Sequence, residues 1–348
     1  MTCLLENGGF PMIDRRTVIR GLAALPLLGT AACSRAAPLG STGEGPPPAN
    51  VAGPAIQAGE LHRRLIPGAN EQVPVIGIGT ARRYADPAGE EQLATLRATI
   101  ARFVELGGKM IDTAPSYGRA EEVIGQIVQE LGVRDRLFLA TKVAGANAAE
   151  AQVQIAQSFR NLRTDVIDLI ALHNPQDAAN KLAALRDLKA QGRVRSIGAS
   201  FSSRAGFAPS SDAVTSSAEQ FAGFEALIRS ERLDAIQVDY ALDNRGAAER
   251  ILPLAQEQGL AVMVNLPFGR GRLFEETKGR PLPDWAAEIG ATTWAQIFLK
   301  YIVSHPARPI AIPGMARPQY VDDNLGAARG PLPDAAMRLR MEQFIDGL

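Results

Sequence analysis

Four ionisable side chains lie at or just beyond the ends of three consecutive apolar segments. Asp112 ends the segment 109–112, and Tyr117 follows it in the stretch DTAPSYG. Lys142 lies within the next apolar segment, FLATKV, and His173 ends the following one, DLIALHNP. If these segments are neighbouring parallel strands, their carboxyl ends bring all four side chains to one edge of the sheet.

Together, these four residue types suit the reduction of a carbonyl group. The carbonyl oxygen gains negative charge and needs a proton, but a free tyrosine, with a pKa near ~10, donates one reluctantly. An adjacent ammonium lowers that pKa, and a carboxylate keeps the ammonium charged and oriented. A neutral imidazole donates a hydrogen bond to the carbonyl. The pattern predicts that Tyr117 is the acid, Lys142 tunes it, Asp112 anchors Lys142 and His173 orients the substrate.

Each residue taken alone also has a structural interpretation. Asp112 could cap a turn, Tyr117 could be a packed loop aromatic, and His173 could be a hydrogen-bonded core residue. Lys142 is harder to explain in this way, because burying its charge in an apolar strand is costly without a partner. Four such residues on consecutive segments favour a catalytic site.

The elements that would position these residues alternate regularly after residue 60. Apolar segments typical of buried parallel strands alternate with segments of helical periodicity. The expected strands lie near 74–79, 109–112, 137–143, 166–172, 194–199, 235–240, 260–265 and 309–312. The expected helices are 89–106, 119–131, 149–161, 178–190, 217–230, 246–258, 292–304, 318–327 and a final 334–346. Eight strand–helix pairs predict an α/β fold, a single-domain (β/α)8 TIM barrel over 61–348.

Composition and glycine spacing exclude several other classes of protein. Lysine plus arginine and aspartate plus glutamate both number 37, so no basic surplus indicates nucleic-acid binding. No cysteine follows Ser34, so a mature chain that starts there has no thiolate metal site, and no metal is expected. Gly77-Ile78-Gly79 lacks the third glycine of a dinucleotide-binding fingerprint, which argues against a Rossmann domain. The long loops 201–215 and 266–291 follow strands and are expected on the catalytic face.

The N-terminal region is typical of an export signal. Arg15 and Arg16 precede the apolar run 21–28, which is too short to span a bilayer, and small residues follow. This order resembles a twin-arginine signal over 1–36, read by the twin-arginine translocase, and predicts a periplasmic location. Both lipid anchoring at Cys33 and simple cleavage stay open, and such an anchor would be the expected membrane attachment. Residues 37–60 are rich in Pro, Gly and Ala and are expected to form a flexible linker.

Several motifs together resemble the aldo-keto reductase family over about 61 to 346. They are GIGT at the first strand, DTAPSYG, TK at 141–142, LHNP, QVDYALDNR at 237–245 and IPGMARPQYVDDNLGA at 312–327. The resemblance implies that Asp112, Tyr117, Lys142 and His173 form the catalytic tetrad. It also implies that a nicotinamide cofactor lies across the barrel mouth. The cofactor-binding residues expected from it are Gly79, Thr80, Ser200, Gln237, Asn265, Pro267, Gly269, Pro313, Gly314, Arg317 and Asn324.

Some positions depart from the family pattern. Phe201 stands where the family often has an asparagine, and Asn265 stands where an aromatic ring often stacks on the nicotinamide. Gly314 and Tyr320 occupy the places where many relatives hold the 2′-phosphate with a lysine and an arginine. Arg317 remains as the phosphate partner, because guanidinium binds phosphate bidentately. We therefore expect NADPH rather than NADH.

The leading hypothesis is the NAD(P)H-dependent reduction of a small aldehyde or ketone, with Tyr117 as general acid. One alternative is a nicotinamide-binding sensor or regulatory protein with little turnover. Another makes Lys142 a Schiff-base nucleophile, but it leaves Tyr117 and the segment 312–327 unexplained. Export implies that the barrel crosses the membrane folded around its cofactor, and either recycles it or uses another redox protein as partner.

Overall fold

The computed structural model describes residues 59–173, 178–202 and 217–348. The predicted signal over 1–36, and the predicted linker over 37–60 apart from Gly59 and Glu60, lie outside the described residues. So do residues 203–216, which include most of the loop predicted at 201–215.

Eight parallel strands form one sheet in which each strand pairs with the next in the chain. They are β3 (Ile78–Gly79), β4 (Met110–Asp112), β5 (Phe138–Val143), β6 (Ile167–Leu172), β7 (Val194–Phe201), β8 (Ala235–Asp239), β9 (Ala261–Asn265) and β10 (Ile310–Ala311). Parallel bridges from Ile76 to Ala311 and from Gly79 to Gly314 join the two edges of the sheet. The predicted (β/α)8 barrel is therefore confirmed.

The two-residue period of the strands explains the position of the polar residues. Apolar side chains that form one cluster fill the lumen: Met110, Phe138, Ala140, Leu169, Ala235, Met263 and Ile310. Alternate residues of a strand face the same side, so the lumen positions nearer the carboxyl ends follow two or four residues later. On five strands these positions are polar: Asp112, Lys142, His173, Gln237 and Asn265. The barrel thus has an apolar base and a polar mouth.

A hairpin that the sequence did not predict lies at the amino-terminal end of the barrel. Its antiparallel strands are β1 (Arg63–Ile66) and β2 (Glu71–Pro74), and Ile66 and Val73 pack into the lumen cluster. Glu71 of the hairpin accepts from Arg195 of β7 at 2.7 Å. Of the strand expected near 74–79, Pro74 belongs to β2, Ile76 makes an isolated parallel bridge to Ala311, and Ile78–Gly79 forms β3.

The helices surround the sheet close to their predicted positions. They are α1 (Gly89–Glu105), α2 (Ala120–Leu131), α3 (Ala148–Asn161), α4 (Ala178–Ala190), α5 (Ser217–Ser230), α6 (Ile251–Glu257), α7 (Arg272–Glu276), α8 (Trp294–Val303), α9 (Pro318–Gly326) and α10 (Ala335–Asp346). None of the helices in the described part of the chain is long and apolar enough to cross a membrane.

Two predicted segments differ from the structure. A single helix over 246–258 was wrong, because a 3-10 turn at Gly246–Ala248 precedes α6. Pro253 prevents continuous helix there, since it lacks a backbone donor and its ring clashes with the carbonyl four residues earlier. The segment 266–291, predicted as a long loop, contains α7 and two 3-10 turns, Gly269–Gly271 and Asp284–Ala287.

Candidate active site

The ammonium of Lys142 is held at the mouth of the lumen by three oxygen atoms. Its Nζ donates to Oδ1 and Oδ2 of Asp112 and to the carbonyl oxygen of Thr113, each at 2.8 Å. Lys142 is 3% exposed and Asp112 is 4% exposed. The pair is therefore a buried ion pair with further hydrogen bonding, the arrangement that compensates for the loss of hydration.

These contacts keep Lys142 protonated. Burial lowers the pKa of the ammonium, but attraction to Asp112 and Tyr117 and their hydrogen bonds outweigh it, so the net pKa is raised. A Schiff-base nucleophile needs a neutral amine. The geometry therefore favours Lys142 as a fixed positive charge and argues against a covalent role.

Tyr117 lies over this charge in the loop between β4 and α2. The Lys142 Nζ is 5.2 Å from the centroid of the Tyr117 ring. Burial raises the pKa of the phenol, and the nearby Lys142 charge lowers it only in part, so the net pKa is above the usual 10.0. Lys142 lowers the pKa of the phenol, as expected, but desolvation is the larger effect and sets the net direction. Tyr117 is consequently a neutral hydroxyl, the form that donates a proton.

His173 completes the group after the end of β6. Its ring lies edge-on to Tyr117, with centroids 6.1 Å apart. Burial lowers the pKa of the imidazole, and the Lys142 charge lowers it further, against a smaller opposite effect of Asp112. Nδ1 lies 3.4 Å from the hydroxyl of Ser116. A hydroxyl that donates to Nδ1 suits the tautomer in which Nε2 carries the proton and can donate to a substrate oxygen.

Buried polar side chains from neighbouring strands surround the tetrad. Thr80 donates from its hydroxyl to the Asp112 carbonyl at 2.9 Å. Gln237 donates from Nε2 to Asp112 Oδ2 at 3.3 Å, and the Ser200 hydroxyl donates to the His173 carbonyl at 3.3 Å. The structure thus brings together the predicted tetrad and three of the predicted cofactor residues.

Comparison with known proteins agrees with this geometry. The family model described as "Aldo/keto reductase family" matches residues 75–342. The chain belongs to the aldo/keto reductase family. It is therefore an oxidoreductase by family, with its tetrad at the barrel mouth.

Characterised relatives and solved structures cover most of the reductase barrel. Methylglyoxal reductase YeaE of Escherichia coli is 30% identical over 278 residues, which are 77% of this chain and 89% of that protein. An aldo-keto reductase from Klebsiella pneumoniae, solved in complex with NADPH, has a TM-score of 0.67 and 26% identity. The match covers 82% of this chain and 95% of that one. A second structure from that organism, with NADP and acetate, has a TM-score of 0.66 and 26% identity and covers 82% and 96% of the two chains.

The lumen of the reductase has features that fit a nicotinamide carboxamide. Gln237 Oε1 and Asn265 Oδ1 are buried side-chain oxygens that have no hydrogen-bond partner among the residues the structure describes. They lie on adjacent strands, where Gln237 pairs with Met263 and Asp239 with Asn265. Such unpaired acceptors are costly unless a ligand donates to them, and a carboxamide NH2 is a donor of that kind. Asn265 would therefore bind the amide rather than stack on the ring.

Phe201 of the reductase packs outside the lumen. It therefore does not take the place of the asparagine that the family often has at this position. Its ring stacks on Phe224 at 5.5 Å and meets Phe221 edge-on at 5.4 Å, both on α5. Ser200, the preceding residue, is 5% exposed and contacts His173 instead.

The predicted phosphate residues form the rim beside β3 and β10. Gly79 donates its backbone N–H to Pro313 at 2.8 Å, and a Cβ at Gly79 would approach the Ile312 carbonyl to 2.7 Å. Gly314 is exposed, Arg317 is exposed as the N-cap of α9, and Asn324 lies within α9 at 4% exposure. The amino end of α9 and the Arg317 guanidinium both favour an anion.

Pro267 and Gly269 are buried in the loop after β9. Gly269 has a φ of 58°, and a Cβ there would lie 2.3 Å from a carboxylate oxygen of Asp243. Asp243 also accepts a hydrogen bond from Arg272, the first residue of α7. The loop after β8 thus holds the loop after β9 in place beside the predicted cofactor groove.

Sequence reasoning missed three groups in the site. The Thr113 carbonyl binds Lys142, Ser116 contacts His173, and Glu121 accepts from Thr141 beside the tetrad. The first is a backbone atom and has no sequence signal. Ser116 lies inside the DTAPSYG motif, and Glu121 is an acidic residue on the buried face of α2, so both had a signal that was not used.

Proposed function

We propose that this protein reduces a small aldehyde or ketone to the alcohol with NADPH, and that Tyr117 is the general acid. One observation carries the proposal: the phenol of Tyr117 and the imidazole of His173 meet at the barrel mouth beside a buried, fully paired lysine. Burial favours the neutral form of both rings, because it raises the pKa of Tyr117 and lowers that of His173. Those groups serve a carbonyl oxygen that becomes negative during the reaction.

The residues of the chain divide the work at the substrate oxygen. When bound, NADPH would supply the hydride for the carbonyl carbon. His173 donates from Nε2 and fixes the angle of the carbonyl, while Tyr117 gives its hydroxyl proton to the oxygen. Lys142 then stabilises the phenolate that is left, and Asp112 keeps Lys142 in place. Gln237 and Asn265 would hold the carboxamide, and Gly314 and Arg317 the adenosine phosphate.

The relatives support this reaction and suggest which substrates to test. The E. coli relative is named for reduction of methylglyoxal, and the K. pneumoniae structure was solved with NADPH. Small dicarbonyls therefore belong in the substrate panel beside aldehydes and ketones.

The full-length protein should consume NADPH with at least one member of that panel, followed at 340 nm. Tight NADPH binding without turnover on any member would contradict the proposed reaction and favour a nicotinamide-binding sensor. Absence of NADPH binding would contradict both functions.

Arg317 is expected to give the preference for NADPH. Replacing Arg317 by alanine should raise the Kd for NADPH by about tenfold and leave that for NADH nearly unchanged, because only NADPH has the 2′-phosphate that a guanidinium binds. Fluorescence titration of each nucleotide measures both constants. Arg340, an exposed arginine of α10 that pairs with Glu288 at 3.1 Å, provides the matched alanine control. Equal affinity of the wild-type protein for NADPH and NADH would refute the preference.

We further propose that the protein is exported folded by the twin-arginine route, on the strength of Arg15, Arg16 and the apolar run after them. Replacing both arginines by lysine should leave the precursor in the cytoplasmic fraction, whereas the wild-type protein is recovered from the periplasm. Wild-type protein recovered there without bound nicotinamide would contradict export around a preloaded cofactor. Fatty-acid labelling that disappears in Cys33→Ser would identify a lipid anchor.

A further inference from the structure

A buried carboxyl group lies behind the tetrad, on the outer side of the barrel wall. Glu121 is 2% exposed, although it is in the first turn of α2. Its Oε1 accepts the Thr141 hydroxyl at 2.6 Å, and its Oε2 accepts Nδ2 of Asn161 at 3.3 Å. Burial raises the pKa of this carboxyl group, while hydrogen bonds from Thr141, Ser158 and Asn161 and the charge of Lys142 act in the opposite direction. The mechanism described above does not use this group.

The Glu121–Thr141 hydrogen bond joins the two elements that carry the proton donor and its cation. Thr141 immediately precedes Lys142 on β5, so its side chain faces out of the barrel while Lys142 faces the lumen. Glu121 follows Tyr117 by four residues. The hydrogen bond therefore fixes the start of α2 to the strand position next to Lys142.

The chain between Tyr117 and Glu121 transmits that constraint. Ala120 donates its N–H to the Tyr117 carbonyl at 3.1 Å, and Arg119 donates to Ala85 at 2.8 Å. Gly118 has a φ of 57°, and a Cβ there would lie 2.9 Å from the Ala85 carbonyl. This turn leaves little freedom for Tyr117 to move independently of the first turn of α2.

Packing alone does not hold the first turn of α2 against α3. A cleft of about 580 Å³ lies between α2 and α3 near the tetrad loop. Its lining includes Pro115, Glu121, Val153 and Gln157, and Val153 is 69% exposed. One turn further along, contact is close, because a Cβ at Gly125 would lie 2.1 Å from the Asn161 carbonyl. Near the tetrad, side-chain hydrogen bonds therefore take the place of apolar contact.

We propose that Glu121 is a positioning residue that, through its hydrogen bond to Thr141, sets the distance between the Tyr117 hydroxyl and the Lys142 ammonium. The expected effect on kcat rests on the proposed reductase function. The effect on the distance between Tyr117 and Lys142 can be tested without turnover.

Two substitutions at Thr141 separate the hydrogen bond from the volume of the side chain. Thr141→Val removes the hydroxyl and preserves the shape, and Thr141→Ser keeps the hydroxyl. In the full-length protein, Thr141→Val should lower kcat by about 10- to 100-fold with little change in KM or in the Kd for NADPH, because small misplacement of a reacting group is costly. Thr141→Ser should keep kcat within about threefold of the wild-type value, because it retains the hydroxyl that donates to Glu121. Glu121→Leu should reproduce the loss seen with Thr141→Val.

The ionisation of Tyr117 gives a readout that does not depend on catalysis. Among the described residues, the charge of Lys142 lowers the Tyr117 pKa and that of Asp112 raises it, and the His173 ring lies edge-on to the phenol. Alkaline titration at 295 nm, as a difference from the matching Tyr117→Phe protein, reports this tyrosine alone. Loss of the hydrogen bond should raise the Tyr117 pKa by about half a unit or more, since the phenol moves away from the ammonium.

The outcomes distinguish this inference from the proposed function. An unchanged Tyr117 titration in Thr141→Val overturns the positioning role, whatever the activity. The positioning role is also overturned if the loss of kcat equals the unfolded fraction measured by circular dichroism and the pH profile of kcat is unshifted. If the wild-type protein reduces no carbonyl but Thr141→Val still shifts the Tyr117 titration, the reductase function is contradicted and the positioning role is supported.

Discussion

Tyr117→Phe is expected to lower carbonyl reduction by about 10²-fold or more while leaving NADPH binding intact, because it removes the hydroxyl proton that Tyr117 transfers to the substrate oxygen. The ring and its edge-on contact with His173 stay in place, so the change is confined to the hydroxyl. Single-turnover rates with a saturating aldehyde measure the chemical step, and fluorescence titration measures cofactor binding.

Tyr84→Phe is the matched control for this substitution. Tyr84 is fully buried, and its hydroxyl donates to the Met315 carbonyl at 3.0 Å, so its loss removes a hydrogen bond near the rim without touching the tetrad. We expect turnover close to wild type. If Tyr117→Phe kept more than about a tenth of the wild-type rate, another group would have to be the acid.

The pKa shifts give the pH dependence of the same reaction. Reduction needs neutral Tyr117 and is lost as pH rises through its pKa, which burial raises above the usual 10.0. His173 must stay neutral, and burial lowers its pKa below the usual 6.5. The rate of carbonyl reduction should therefore stay near its maximum between pH 6.5 and pH 10.0. Only the alkaline limb should disappear in the residual activity of Tyr117→Phe.

The sequence predicted the barrel well because its strands are buried on both faces. Such strands appear as short apolar runs, and glycines with positive φ, Gly192 at 73° and Gly259 at 68°, follow the helices whose ends were predicted at 190 and 258. The predicted tetrad followed from the same reasoning. A charged residue inside an apolar run such as FLATKV has few structural explanations, and the strand period places it in the lumen.

The remaining features depend on tertiary contacts that leave little local signal. The hairpin at the base of the barrel has only four residues in each strand, and its stability comes from Ile66 and Val73 in the lumen. The net pKa of Tyr117 reflects a balance between burial and the charge of Lys142. The sequence positions of the two residues indicate that Lys142 lowers this pKa, but they do not indicate how strongly burial raises it. The sequence around Phe201 likewise gives no sign that its ring packs on Phe221 and Phe224 of α5.

Lys142→Met is expected to be the most damaging single substitution, because it affects both stability and chemistry. It leaves the Asp112 carboxylate 4% exposed and without its cation, which typically costs about 3–5 kcal/mol for a buried pair. It also removes the charge that stabilises the Tyr117 phenolate, so reduction should fall by about 10²-fold or more in the folded fraction. Urea unfolding gives the stability, and the rate per folded protein gives the chemistry.

Adding Asp112→Asn separates these two effects. The double variant no longer buries an unpaired charge, so most of the lost stability should return, as happens when both partners of a buried ion pair are replaced. Activity should not return, because Tyr117 still lacks its neighbouring cation. A double variant that is no more stable than Lys142→Met would mean that the carboxylate is hydrated in the single variant. Recovery of turnover in the double variant would mean that the Lys142 charge has no part in proton transfer, and that Asp112 had inhibited the unassisted tyrosine.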